Sequence, residues 1–186
     1  MSLINEKQKM LAGKLYLPED RELTDERKRA RQFTYEYNAT QEHETEKRLA
    51  LLKELLGTLG KHTEIIPPFY CDYGYNIHIQ DSVYLNFGCV ILDCNSVHIG
   101  NNVQIGPYVQ IYTVYHPTDP AIRLERKELA APISIKDNAW IGGNAIICPG
   151  VTIGQNSTIG AGSVVVEDIP DNVVAAGNPC RVIKSL

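Results

Sequence analysis

Six isoleucine or valine residues recur at intervals of six: Ile135, Ile141, Ile147, Ile153, Ile159 and Val165. An amphipathic helix buries every third or fourth residue and a half-buried strand every second, so neither accounts for this period. The period belongs to a solenoid whose coils are assembled from hexapeptides, a parallel β-helix. The same spacing runs earlier through Ile79, Leu85 and Ile91, and again through Ile99, Ile105 and Ile111. The fourth residue after each anchor is usually compact: Val83, Cys89, Val103, Val109, Ala139, Ala145, Val151, Ser157 and Ser163. An anchor that points inward from each short strand, with a small residue where the chain turns to the next face, builds a triangular coil from three hexads.

Residues 1–60 have a different texture, charged and rich in Glu, Lys and Arg. Thr24 is expected to cap a helix running through Asp25, Glu26 and Arg27 to about Tyr37. Leu49, Leu52, Leu55 and Leu56 mark another helix, with Gly57 as its stop. Pro67-Pro68 ends anything helical and introduces the extended coils. The expected organisation is therefore a helical N-terminal segment, 1–60, followed by a β-helix domain, 61–186. The repeat fails once. Between Ile111 and Ile135 the in-register positions are Pro117, Arg123 and Leu129, and 113–132 reads as a loop extruded from one corner. Long loops on a rigid scaffold often carry function.

The formal net charge of −4 argues against a general nucleic-acid or anionic-membrane surface. No apolar run approaches a membrane span, and the first residues lack the apolar region of a signal peptide, so a cytoplasmic location is expected. The five cysteines, Cys71, Cys89, Cys94, Cys148 and Cys180, are odd in number and form no CxxC pair, which fits reduced thiols. Cys89 and Cys148 fall within the repeat and read as packing residues.

Of the histidines, His43 and His62 read as solvated. His78 and His98 each precede an inward isoleucine and should point outward. His116 differs: Tyr115-His116-Pro117 opens the extruded loop, with a proline stiffening the backbone beside it. An imidazole, with its ordinary pKa of about 6.5, is suited to taking a proton from a hydroxyl near neutrality. A metal is not expected. No second histidine follows His116, and His78 and His98, one coil apart and able to stack, lack an evident third ligand.

The chain resembles the maltose and galactoside O-acetyltransferases, a branch of the hexapeptide-repeat acyltransferases, over nearly its whole length. The resemblance is carried by Ala12-Gly13-Lys14-Leu15-Tyr16, Tyr35-Glu36-Tyr37-Asn38 and Cys71-Asp72-Tyr73-Gly74-Tyr75-Asn76-Ile77. It continues through Asn86-Phe87, Leu92-Asp93, Tyr112-Thr113 and His116-Pro117. Trp140-Ile141-Gly142-Gly143, Pro149 to Gly154, Gly160-Ala161-Gly162-Ser163 and Ala176 to Ile183 complete it. The hexapeptides alone specify a superfamily; the helical segment, Asp72-Tyr73-Gly74 and the His116 loop in this order are more specific.

The resemblance implies a mainly β protein, a left-handed parallel β-helix assembled as a homotrimer with active sites between subunits. It implies acetyl-CoA as co-substrate, no metal, and direct acetyl transfer to a hydroxyl of a small sugar. His116 takes the role of general base, and a backbone N–H at Gly143 that of oxyanion donor. Asp72, Tyr84, Asn86 and Asp93 are the implied acceptor-binding residues, since a polyol's hydroxyls must be paired when buried. An acidic position of the family's early N-terminal segment aligns loosely with Glu19 or Asp20. Cys94 stands where some galactoside-specific relatives carry a second acidic residue, which favours a maltose- or glucose-like acceptor. For acetyl-CoA, Gly143 and Ala161 offer small surfaces along the coils and Val166 a backbone contact. Arg181 and Lys184 are the implied phosphate ligands. Two other classes fit the same motifs less fully: a related acyltransferase for an antibiotic or amino acid, and a non-catalytic solenoid scaffold.

Overall fold

A computed structural model describes residues 4–186. Every anchor named above is buried, from Ile79 to Val165, and so is each compact fourth residue from Val83 to Ser163. The three faces of the solenoid are parallel sheets. The first face is built from strands Thr58–Leu59, Ile77–Ile79, Val97–Ile99, Ile133–Ile135 and Thr152–Ile153. The second contains Glu64–Ile65, Tyr84–Leu85, Gln104–Ile105, Trp140–Ile141, Thr158–Ile159 and Val173–Ala176, and the third Phe69–Cys71, Cys89–Leu92, Gln110–Tyr112, Ile146–Ile147 and Val164–Val165. Strands of two to four residues suffice because each backbone pairs with the coils above and below rather than along a long ladder.

The corners explain the asparagines. His62, Ser82, Asn102, Asn138, Asn156 and Asn172 occupy the corner between the first and second faces, all with φ between 56° and 60°. That left-handed conformation costs an ordinary residue about 1–2 kcal/mol, and asparagine tolerates it best among residues with a Cβ. Here the side chains also pair: Asn102 donates to Asn138 (3.2 Å), Asn138 to Asn156 (2.9 Å) and Asn156 to Asn172 (2.7 Å).

Among the described residues, four helices accompany the coils: α1 (Glu6–Leu11), α2 (Arg21–Asn38), α3 (Thr45–Leu55) and α4 (Pro120–Leu124). The start of α2 corrects the sequence expectation. Its cap is Asp20, whose carboxylate accepts from the N–H groups of Glu22 and Leu23, so Thr24 lies inside the first turn. α1 was not expected, although Asn5 and Gln8 form a reciprocal capping box at its start. Ala30, Tyr37, Leu52, Leu55 and Leu56 from α2, α3 and the residue after it join the solenoid's own core. Asn38 clamps the Phe69 backbone, donating to its carbonyl at 2.9 Å and accepting from its N–H at 2.8 Å. The helices thus cover the edge of the first coil, which would otherwise present unpaired backbone. Strand Thr58–Leu59 already pairs with Ile77–Ile79, so the coils begin just ahead of residue 61. At the far end an antiparallel strand, Arg181–Ser185, folds back on Val173–Ala176.

The segment 113–132 is more ordered than a plain loop. Val114–Tyr115 and Leu129–Ala130 pair antiparallel, and α4 forms the tip with Asp119 as cap and Pro120 at its start. A second small core, of Met10, Tyr16, Leu23, Tyr73, Cys94 and Ala130, ties this arm to the N-terminal segment and to the turn after Cys71.

Candidate functional site

That second core sets the walls of a cleft of about 380 Å³, open to solvent, with His116 at its rim. The N-terminal segment supplies Pro18, Glu19, Arg27 and Arg31, the solenoid Asp72, Leu92 and Cys94, and the arm Val114, His116 and Glu128. The arm is held in place by an antiparallel bridge: Tyr16 N–H donates to the Glu128 carbonyl at 3.1 Å and Glu128 N–H to the Tyr16 carbonyl at 3.0 Å. The buried Tyr16 hydroxyl also donates to the Glu128 carboxylate at 2.8 Å, and Arg126 pairs with Glu19 at 3.0 Å.

These contacts leave the other Glu128 oxygen 3.9 Å from His116 Nε2. Glu128 is therefore fixed on both sides, by its backbone and by Tyr16, with one oxygen free to orient an imidazole whose side chain is 60% exposed. Sequence reasoning missed Glu128. The signal lay in the hairpin, which places the two sides of the arm opposite one another although twelve positions separate them in the chain.

Asp72 lines the cleft floor, accepting a hydrogen bond from the Cys94 thiol at 3.6 Å. Burial raises its carboxyl above the ordinary carboxylate range, while the thiol and the charges of Arg27 and Arg31 pull it back. Arg27 is anchored by donating to the Tyr73 hydroxyl at 2.6 Å and to the Pro18 carbonyl at 2.5 Å. Burial, above all, also raises the Cys94 thiol, which keeps it in its neutral, hydrogen-donating form.

Asp93 does not line the cleft and stands behind it, fully buried. One carboxylate oxygen accepts from the N–H groups of Asp72 (3.0 Å) and Tyr73 (2.8 Å), the other from Asn76 (3.3 Å). Asn76 in turn donates its side-chain amide to the Asp93 carbonyl at 2.7 Å. With its acceptors committed to backbone, Asp93 shapes the turn that presents Asp72, which corrects its expected place among the acceptor-binding residues.

Tyr84 and Asn86 are not beside His116 in one chain. They line a second cleft, of about 530 Å³, on the second face, together with Gly143, Ala161, Trp140 and Gly106. Its floor is low because successive coils approach too closely for side chains. A Cβ on Gly106 would meet the Gly143 nitrogen at 2.6 Å, and one on Gly142 the Ala161 nitrogen at 2.5 Å. Val166, Arg181 and Lys184 lie outside this lining, toward the C-terminal end. Val166 is exposed, Arg181 contacts Glu167 at 3.4 Å, and Lys184 pairs in register with Val174. Among the described residues, no group of three or more His, Cys, Asp or Glu side chains is arranged to hold a metal ion. No helix among them is long and apolar enough to cross a membrane.

Comparison with known proteins covers both parts of this architecture. Residues 9–60 match the maltose acetyltransferase hexapeptide capping motif, and residues 132–166 the bacterial transferase hexapeptide of six repeats. The chain is 45% identical to the galactoside O-acetyltransferase of Escherichia coli K12, over 96% of this chain and 88% of that protein. It superposes on the crystal structure of a maltose O-acetyltransferase from Clostridium difficile 630 with a TM-score of 0.97 at 49% identity, covering 98% and 97% of the two chains. A galactoside acetyltransferase solved in complex with coenzyme A gives a TM-score of 0.94 at 42% identity, covering 98% and 92%.

Proposed function

Because the chain belongs to the family of maltose and galactoside O-acetyltransferases, which makes it an acetyl-CoA-dependent O-acetyltransferase, we propose that its acceptor is a small maltose- or glucose-like sugar and that His116 is the general base. The observation that carries this reading is the pairing of His116 with Glu128 at the rim of a cleft lined by hydrogen-bonding groups. Asp72, Arg27, Arg31 and Glu128 offer donors and acceptors for several hydroxyls at once, as a polyol requires. Within one chain the apolar lining of this cleft is limited to Pro18, Leu92 and Val114, so most of the groups it offers are polar.

His116 accepts the proton of the attacking hydroxyl as its oxygen forms the new ester bond to the acetyl carbon. The carbon–sulfur bond breaks, and the proton passes to the departing thiolate, so no acyl-enzyme is needed. Glu128, anchored by Tyr16, stands beside the imidazole and positions it. The Gly143 N–H is the proposed oxyanion donor, in the second cleft, where Ala161 leaves room for the pantetheine arm. Arg181 and Lys184, at the end of the same sheet, are the proposed phosphate contacts, and Val166 contributes its backbone.

Assembly as a homotrimer would bring the second cleft of one copy to the His116 cleft of the next, and with it Tyr84 and Asn86. The outward residues support this. The second and third faces expose Tyr84, Trp140 and Tyr70, and the corner between them carries Phe87 and Tyr108 in edge-to-face contact at 5.4 Å. The first face instead presents Thr58, His78, His98, Ser134 and Thr152, as a solvent-facing side would.

A panel of maltose, glucose, galactosides, chloramphenicol and serine, scored by free-thiol release from acetyl-CoA, tests the acceptor class. Release stimulated by maltose or glucose supports the reading, and release stimulated only by chloramphenicol or serine removes the sugar from it. Glu128→Gln keeps an acceptor for Tyr16 but loses the charge beside His116. It should lower kcat about tenfold, the equivalent of about 1.4 kcal/mol, with KM for acetyl-CoA unchanged. A steady-state comparison with wild type checks this.

A further inference from the structure

The first face carries a side-chain pair that the acetyl-transfer site does not use. His78 and His98 lie opposite each other on neighbouring parallel strands, in exact Cα register. Their rings stack with centroids 4.8 Å apart and planes 15° from parallel. The flanking residues on both strands, Ile77, Ile79, Val97 and Ile99, are fully buried, so the backbone beneath the pair is held by the core. The His78 ring is further confined by Gly57, where a Cβ would come within 2.7 Å of its Cε1. His98 is exposed and has no side-chain hydrogen bond among the described residues. Among the described residues, the pair has few polar neighbours. The nearest is the Thr58 hydroxyl, 3.4 Å from His78 Nδ1.

We infer that His78 and His98 form a surface site for a divalent transition metal of the copper(II) or nickel(II) class, chelated by one nitrogen from each ring. Metal–imidazole bonds are about 2.0 Å long, so the two donors must approach to roughly 3 Å. From a stack with 4.8 Å between centroids, the two rings must tilt toward a common point about their side-chain torsions. Two protein donors cannot complete the four-ligand set of a structural zinc site. They do suit a tetragonal ion that keeps water in its remaining positions, and copper(II) heads the affinity order for such ligands. The neighbouring rungs are hydroxyls, with Thr58 beside His78 and Ser134 beside His98, which can bond those waters. Because the two ligands sit on successive coils, the bound ion cross-links them and stabilises the folded chain over the unfolded one. The inference is independent of the acceptor's identity.

The test is titration of the intact protein with copper(II), followed by calorimetry and by electron paramagnetic resonance. The expected result is one strong ion per chain whose spectrum shows two equivalent-type nitrogen ligands. Loss of an outer-shell partner alone costs about 10–100-fold in metal affinity, so His98→Gln and His78→Gln should each weaken binding by more than that. His43→Gln and His62→Gln should bind as wild type does. Melting curves in chelator establish that the variants fold. Selective broadening of the His98 ring resonances in wild type by trace copper(II) provides a readout that needs no variant. Unchanged affinity in His98→Gln, or no broadening at His98, overturns the assignment.

Discussion

Replacing Asp93 by alanine should destabilise the protein by about 3 kcal/mol or more, although the side chain touches no solvent and no cleft. The reason is the three backbone N–H groups, of Asp72, Tyr73 and Asn76, that the carboxylate satisfies within the turn Asp72–Asn76. Each buried donor left without a partner costs about 1–3 kcal/mol. At about 2–4 °C per kcal/mol for a chain of this size, the melting temperature should fall by roughly 6–12 °C. The turn also carries Asp72 into the cleft, so acceptor KM should rise before the fold is lost. Asp93 also predicts a pH dependence. Burial pushes its carboxyl up from an ordinary 3.8 to about 7, with the Tyr73 N–H pulling the other way. The folded chain therefore holds this proton more tightly than the unfolded one. The resulting stabilisation is fully present below pH 3.8 and is lost as the pH rises through about 7. Asp93→Asn cannot titrate, and melting temperatures from pH 4 to 8 should show a shallower alkaline decline for it than for wild type.

The core was legible because a solenoid repeats its physics in sequence: one inward anchor and one compact residue per hexad, each of them found buried. The arm at 113–132 was legible only as an interruption. Its internal pairing of Val114–Tyr115 with Leu129–Ala130 leaves too short an alternation to read. The helix start moved from Thr24 to Asp20 because several capping residues compete along 20–25, and the one following Pro18-Glu19 wins. Asp93 and Glu128 show what a linear reading cannot weigh. Asp93 meets backbone groups 17 to 21 positions away, and Glu128 meets Tyr16 across 112. Tyr84 and Asn86, implied by resemblance to bind the acceptor, lie in a single chain on a different face from His116, and no spacing in the sequence reveals that separation.

His116→Ala should reduce acetyl transfer by about 10²–10⁴-fold, the range for losing a positioned general base. Its side chain is largely exposed and contributes one 3.9 Å contact to Glu128, so the melting temperature should stay close to wild type. Acetyl-CoA affinity should also persist, since the proposed binding surface lies on the second face. This split between lost turnover and retained binding separates a catalytic role from a structural one. The most direct measurement is the product itself: maltose or glucose incubated with acetyl-CoA and either wild type or His116→Ala, with the sugar ester quantified by mass spectrometry. The account predicts a singly acetylated sugar formed by the wild type and nearly absent with the variant. A sugar ester formed at the wild-type rate by His116→Ala, or none formed by wild type that binds acetyl-CoA, would contradict it.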